Sequence, residues 1–206
     1  MVIAIDGPAG AGKSSVARAV AHALGFTYLD TGAMYRCVGL AAEESREPAA
    51  QVAERIEIEV GDRILLDGRD VTEAIRTPQV SEAASRVAAD PGVRAALVAK
   101  QQALMAEGDW VAEGRDIALV VAPDAEVKVF LTAHPDERAR RRAAQLDIDP
   151  DLVRRELHAR DQRDASGDRT VHGPAPDAVP VDTTGLTIDE VVGQIVTLAV
   201  EAREVG

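Results

Sequence analysis

Residues Gly7–Ser15 read GPAGAGKSS, and the spacing G-x4-G-K-S puts a phosphate-binding chemistry into one short stretch. Glycines let successive backbone N–H groups turn toward a single anion. The helix that must follow adds the partial positive charge of its N-terminus. At these positions a lysine, Lys13, reaches β- and γ-phosphates, and a hydroxyl, Ser14, ligates Mg²⁺. The expected nucleotide-binding set is therefore Gly7, Pro8, Ala9, Gly10, Ala11, Gly12, Lys13, Ser14 and Ser15, with ATP as the occupant. The motif holds a triphosphate but does not name what accepts a phosphoryl group.

Elements are needed to hold that loop, and the hydrophobic pattern supplies them. Val2–Asp6 is a short buried strand that runs into the loop. Val16, Val20 and Leu24 recur every four residues, and Gly25 stands where a helix C-cap glycine would. Phe26–Asp30 is a second strand, ending in DTGAMYR. Alternation over Arg55–Gly68, on both sides of Gly61-Asp62, predicts a β-hairpin. Two helices follow. The clearer one starts at Asp90-Pro91 and carries Val93, Leu97 and Leu104 on one face. Trp110–Asp116 reads as a strand emptying into a loop, and Val127–Leu131 as another strand. Pro135–His158 is Arg-rich and helical in character, and residues 165–178 read as a mobile loop. Val179–Thr183 is a last strand, and a last helix begins at Thr187 with Glu190 completing a capping box. Strands alternating with helices predict an α/β fold, a doubly wound parallel sheet of about five strands flanked by helices. Ligands in such sheets bind at the carboxyl ends of strands, where Gly7–Ser15, Asp30–Arg36 and Gly114–Asp116 fall.

Composition narrows the class. The 206 residues fit one domain with an insertion, and 46% are hydrophobic, which argues against global disorder. No apolar run is long enough to span a bilayer, and no charged-then-apolar leader stands at Met1. A cytoplasmic location is expected. A net charge of −12 disfavours general binding to nucleic acid or to an anionic membrane. Phosphate recognition must come from local clusters, and of the 23 Lys and Arg residues only Lys13, Lys100 and Lys128 are lysines. Arginine's planar fork suits phosphate. Cys37, the single cysteine, reads as a small buried apolar residue. His22, His134, His158 and His172 lack metal-ligand spacing. DGRD at Asp67–Asp70 reads as turn chemistry. Asp6 either caps its strand or stands behind the metal.

The stretches IDGPAGAGKSSVARAVAHALG, YLDTGAMYR, IRTPQVSEAASRVAADPGVR, AEGRDI and RDQRD follow one another in this order. Together they closely resemble bacterial cytidylate kinases, a family of nucleoside monophosphate kinases, over nearly the whole chain. The resemblance implies transfer of the ATP γ-phosphoryl group to CMP or dCMP, giving CDP or dCDP plus ADP. It implies a P-loop NTPase-type fold with a core (about 1–40, 108–132 and 166–206), a monophosphate-binding insert region (about 41–107) and a lid (about 133–165). Carried over position by position, CMP contacts fall on Thr31, Arg36, Ser85, Arg94, Arg115, Asp116, Arg160 and Asp164. Ser85, Arg94 and Asp116 match the readers of the cytosine edge. Lys13, Arg160, Arg163 and Arg141 are the implied catalytic cations, with Arg138 and Arg142 as further lid candidates, and a monomer is the family expectation.

The chain also departs from the family pattern. Ala118 and Leu119 stand where Gly-Thr is usual, and Thr132 stands where an aspartate is common. Gly167 stands where an arginine is expected, with Arg169 two residues on. Two other readings compete. One is a kinase for another acceptor, such as UMP. The other is a P-loop regulatory protein that binds ATP or GTP and switches partner contacts, which leaves the acceptor-side arginines unexplained.

Overall fold

The computed structural model describes residues 1–61, 63–146, 148–166 and 173–205, with the side chains of 145, 146, 160, 163–166 and 205 left aside. The chain forms two compact units. The first comprises Met1–Tyr28 and Asp109–Gly206, and the second Leu29–Gly108.

The first unit is built on strands β1 (Val2–Asp6), β6 (Trp110–Glu113), β7 (Val127–Thr132) and β8 (Val179–Asp182). Strand β2 (Thr27–Asp30) starts in this unit and completes a five-stranded sheet in the order β2-β6-β1-β7-β8. β1 pairs in parallel with β6 and with β7, and β7 in parallel with β8. Central β1 is buried on both faces, as a parallel core strand must be, and Ile3, Ala4 and Ile5 are all fully buried. Helix α1 (Lys13–Leu24) lays Val16, Ala17, Val20 and Ala21 on this sheet and ends at Gly25, whose φ is 70°. Helix α8 (Ile188–Val205) adds Val191, Ile195 and Ala199 to the same core. Its N-terminus carries the expected capping box. The Glu190 carboxylate accepts from the Thr187 N–H at 2.8 Å, and the Glu190 N–H donates to the Thr187 hydroxyl at 3.3 Å.

The Arg-rich segment folds as two helices, α6 (Pro135–Leu146) and α7 (Pro150–Ser166), rather than one. They enclose a small apolar core of Ala139, Ala143, Val153 and Leu157, and Ala9 of the glycine-rich loop belongs to it. The 165–178 loop reading falls partly on residues 167–172, outside the described residues.

The second unit begins with helices α2 (Thr31–Ser45) and α3 (Ala49–Arg55). The hairpin of 55–68 forms as β3 (Ile58–Val60) and β4 (Ile64–Leu66), and β5 (Arg69–Asp70) adds a third antiparallel strand. The turn into β5 is Asp67–Gly68, both with positive φ (48° and 76°), so DGRD is indeed turn chemistry here. Helices α4 (Pro78–Val87) and α5 (Pro91–Leu104) complete the unit. Asp90 caps α5, accepting from the N–H groups of Gly92 and Val93. Val93 and Leu97 are fully buried, whereas Leu104, in the last turn, is exposed. Gly39 of α2 lets α4 come close, since a Cβ there would lie 3.0 Å from the Ala84 backbone nitrogen. Cys37 is fully buried in α2, and burial pushes its thiol up to about 12, which makes it unreactive.

Candidate active site

The glycine-rich loop leaves β1 at its carboxyl end and enters α1. Gly7 adopts φ 150°, and a Cβ there would run into the Leu131 carbonyl of β7. Gly12, with φ 91°, is the N-cap of α1 and provides no side-chain cap. An α-helix N-terminus with no side-chain cap favours an anion, which is the physical basis of an anion site.

Four of the loop's carbonyl oxygens accept from side chains. Arg115 donates to the Gly7 carbonyl. Lys13 Nζ donates to the Pro8 carbonyl at 3.0 Å, and Arg138 Nη1 to the Ala9 carbonyl at 3.0 Å. Thr183 Oγ1 is 3.3 Å from the Ala11 carbonyl and 3.0 Å from that of Thr132. Three cations thus surround a loop in a chain of net charge −12.

Ser14 hydroxyl donates to Glu113, a carboxylate only 5% exposed at the end of β6. The Tyr28 hydroxyl donates to the same oxygen at 3.1 Å. With its proton given to Glu113, the Ser14 oxygen keeps lone pairs for a cation. Hard oxygen donors are what Mg²⁺ takes. Among the described residues no three His, Cys, Asp or Glu side chains cluster as a metal cage. The residues therefore fit an ion held by one or two protein oxygens and, for the rest, by phosphates and water.

Asp6 closes β1 and is 5% exposed. Its two oxygens accept from the N–H groups of Ile117 and Ala118, each at 2.9 Å, at the start of a π-helical turn over Ile117–Val121. Asp6 thereby fixes the chain just after Arg115 and Asp116. Burial raises its carboxyl from 3.8 to about 6; the two N–H bonds oppose the rise, the Asp116 charge adds to it and Lys13 opposes it. The departure at Ala118 and Leu119 leaves this arrangement intact, because Asp6 uses backbone donors that any residue but proline supplies.

In the second unit, Asp30 caps α2 by accepting from the Ala33 N–H at 2.8 Å, and both its oxygens hold Arg36 Nη2, at 3.2 and 3.1 Å. Arg36 Nε is buried with no hydrogen-bond partner, so the guanidinium is oriented yet not saturated. Thr31 is buried in the first turn of α2. Ser85, on α4, donates to the Ser81 carbonyl, and Arg94 lies in the first turn of α5. In the first unit Asp116 is buried. Arg141 turns inward from α6. Its Nη1 and Nη2 donate to the Thr183 hydroxyl and carbonyl at 2.9 and 2.7 Å, and its Nε to Glu137 at 2.8 Å. Arg140, with Arg141, holds the Glu137 carboxyl down at about 2. Arg160, Arg163 and Asp164 lie on α7, but their side chains are outside the described residues, as is Arg169. His22, His134 and His158 are exposed.

Asp30 fell within the Asp30–Arg36 stretch but was given no role of its own, and Glu113 and Thr183 were given none. Asp30 precedes the first turn of a helix, a signal that was available. Glu113 and Thr183 lie 99 and 172 residues from their loop partners, and only the sheet brings them together.

The family comparison agrees with this geometry. A family model described as cytidylate kinase matches residues 3–201. The cytidylate kinase of Carboxydothermus hydrogenoformans is 48% identical over 214 residues, which cover 96% of each chain. That of Desulfitobacterium hafniense is 45% identical over 219 residues, covering 99% of this chain and 94% of its own. Among solved structures, a gluconokinase from Sinorhizobium meliloti shares the fold, with a TM-score of 0.55 at 17% identity over 99% of this chain and 94% of its own. A phosphate loop at the carboxyl end of the central parallel strand, within a match of this extent, means that the chain belongs to the cytidylate kinase family.

Proposed function

We propose that the chain transfers the γ-phosphoryl group of ATP to CMP or dCMP, giving ADP and CDP or dCDP, in pyrimidine nucleotide metabolism. The observation that carries the reading is an uncapped helix N-terminus bearing Lys13 and Ser14, in a chain matched by the cytidylate kinase model over residues 3–201. The residues Gly7–Ser15 bind the ATP phosphates through backbone N–H groups. Lys13 leaves the Pro8 carbonyl, an uncharged partner, for the β- and γ-phosphates. Ser14, oriented by Glu113, would hold Mg²⁺, which when bound offsets the charge of the phosphate oxygens.

An acceptor phosphate oxygen forms a bond to the γ-phosphorus while the bond from that phosphorus to the β–γ bridging oxygen breaks, and ADP takes the electron pair. The attacking oxygen is already ionised, so no general base is needed. The chain's task is to bring two anions together, which needs several cationic forks. We assign the acceptor phosphate to Thr31, Arg36 and Arg115, the cytosine edge to Ser85, Arg94 and Asp116, and the phosphate and sugar to Arg160 and Asp164. Arg141 and Arg163 complete the cations over the transferred group. Residues 41–107 serve as the monophosphate-binding insert region and 133–165 as the lid of a monomeric, cytoplasmic enzyme.

The test is ADP formation from Mg-ATP with CMP, dCMP, UMP, AMP or no acceptor. CMP and dCMP far above UMP support the reading. Equal rates with CMP and UMP reject the cytosine contacts, and no stimulation by any monophosphate favours a regulatory nucleotide-binding protein.

A further inference from the structure

Arg138 is the only buried cation among the described residues, 8% exposed in the first turns of α6. A buried guanidinium needs partners, and two nitrogens of this one have them. Nη1 donates to the Ala9 carbonyl at 3.0 Å and to Asp161 of α7 at 2.7 Å, and Nε donates to the Ala133 carbonyl at 3.3 Å. Two further contacts place α6 directly on the loop. The Ala9 methyl group belongs to the apolar core of α6 and α7, and a Cβ added at Gly10 would lie 3.1 Å from Arg138 Cβ. Arg138 therefore packs against the loop at Ala9 and Gly10, on the side that faces α6 and α7.

We propose that Arg138 is a positioning residue for the nucleotide: it sets the Ala9–Gly10 peptide plane and ties that plane to α7 through Asp161. A trans peptide points its carbonyl and the following N–H in opposite directions, and among the described residues no peptide bond is cis. Holding the Ala9 carbonyl toward α6 thus aims the Gly10 N–H away from it, toward the concave side of the loop. Thr183 does the same for a neighbouring plane through the Ala11 carbonyl. Arg138 differs in that its nitrogen is shared with another helix. Loosening α7 should release the loop, and an ordered loop should favour docked α7. This inference rests on the reading of Gly7–Ser15 as the nucleotide site.

Titration calorimetry with ADP and, separately, CMP tests it on the full chain, with melting temperatures as a control. Asp161 is 29% exposed, so Asp161→Asn removes the ion pair without opening the core. We expect Asp161→Asn and Arg138→Met to weaken ADP binding, the latter by about tenfold or more, with CMP affinity unchanged. Arg138→Lys, which keeps the charge but not the fork, should recover part of the loss. Arg138→Met combined with Asp161→Asn should be no worse than Arg138→Met alone. Should Arg138→Met fail to fold, Asp161→Asn decides alone. Parental ADP affinity in Asp161→Asn, or equal losses for ADP and CMP, would overturn the proposal. ADP binding is read without an acceptor, so failure of transfer to CMP does not affect this result.

Discussion

A cytosine presents an amine where uracil presents a carbonyl, and a buried carboxylate such as Asp116, proposed above to read that edge, would accept from the first and repel the second. An unmet polar group of this kind is worth roughly 1–3 kcal/mol, or about a 5- to 150-fold preference. Asp116→Ala should bring the kcat/KM ratio of CMP over UMP toward one, with the KM for ATP nearly constant. A ratio that stays at the parental value would remove Asp116 from the cytosine-reading set. Asp6 makes a different kind of prediction. Its folded-state carboxyl, at about 6, binds a proton more tightly than the unfolded chain at 3.8. Its contribution to stability is therefore present below about pH 4 and lost as pH rises through about 6. The difference is about 3 kcal/mol in full. Asp6→Asn lacks this titration. Relative to the parent it should gain about 1 kcal/mol between about pH 5 and about pH 7.5, read from urea unfolding at both values. A gain as pH falls instead would contradict the burial argument.

At the scale of elements, the approach of β7 to the loop decides what Gly7 can be. A Cβ would collide with the Leu131 carbonyl, an atom of the central sheet that cannot move aside. Gly7→Ala should cost about 2–4 kcal/mol of stability and most of the nucleotide affinity, measured by thermal unfolding and ADP titration. Near-parental values for both would show that the loop shifts freely. The same scale shows which parts of the fold were legible. The five parallel strands and α1, α5 and α8 follow from contiguous patterns and caps, as at Asp90 and at Thr187–Glu190. Two-residue β5 did not, because two exposed residues carry no periodicity. The break between α6 and α7 was missed because polar composition continues across it. Leu104 looked like core by spacing, yet its helix ends as it leaves the buried face.

For the whole molecule, the contrast is between a chain of net charge −12 and a loop ringed by Lys13, Arg115 and Arg138. The bulk charge keeps the surface unattractive to polyanions, while the fold concentrates the few cations it needs. The phosphate loop was legible because its chemistry is contiguous in sequence. The side chains that hold the loop were not, because Arg138, Glu113 and Thr183 reach it only through tertiary packing. Arg138 illustrates the point: by sequence it is one charge in ERARRR on an exposed helix, and in the fold it is buried against Ala9. Among the described residues no helix is long and apolar enough to cross a membrane. The most direct test of the central claim follows the group that moves. Mg-ATP labelled on the γ-phosphate would be incubated with the protein, with and without CMP, and the labelled products separated. The account predicts CMP-dependent label in CDP, with little in inorganic phosphate. Label released only as inorganic phosphate, at a rate that CMP does not change, would contradict it.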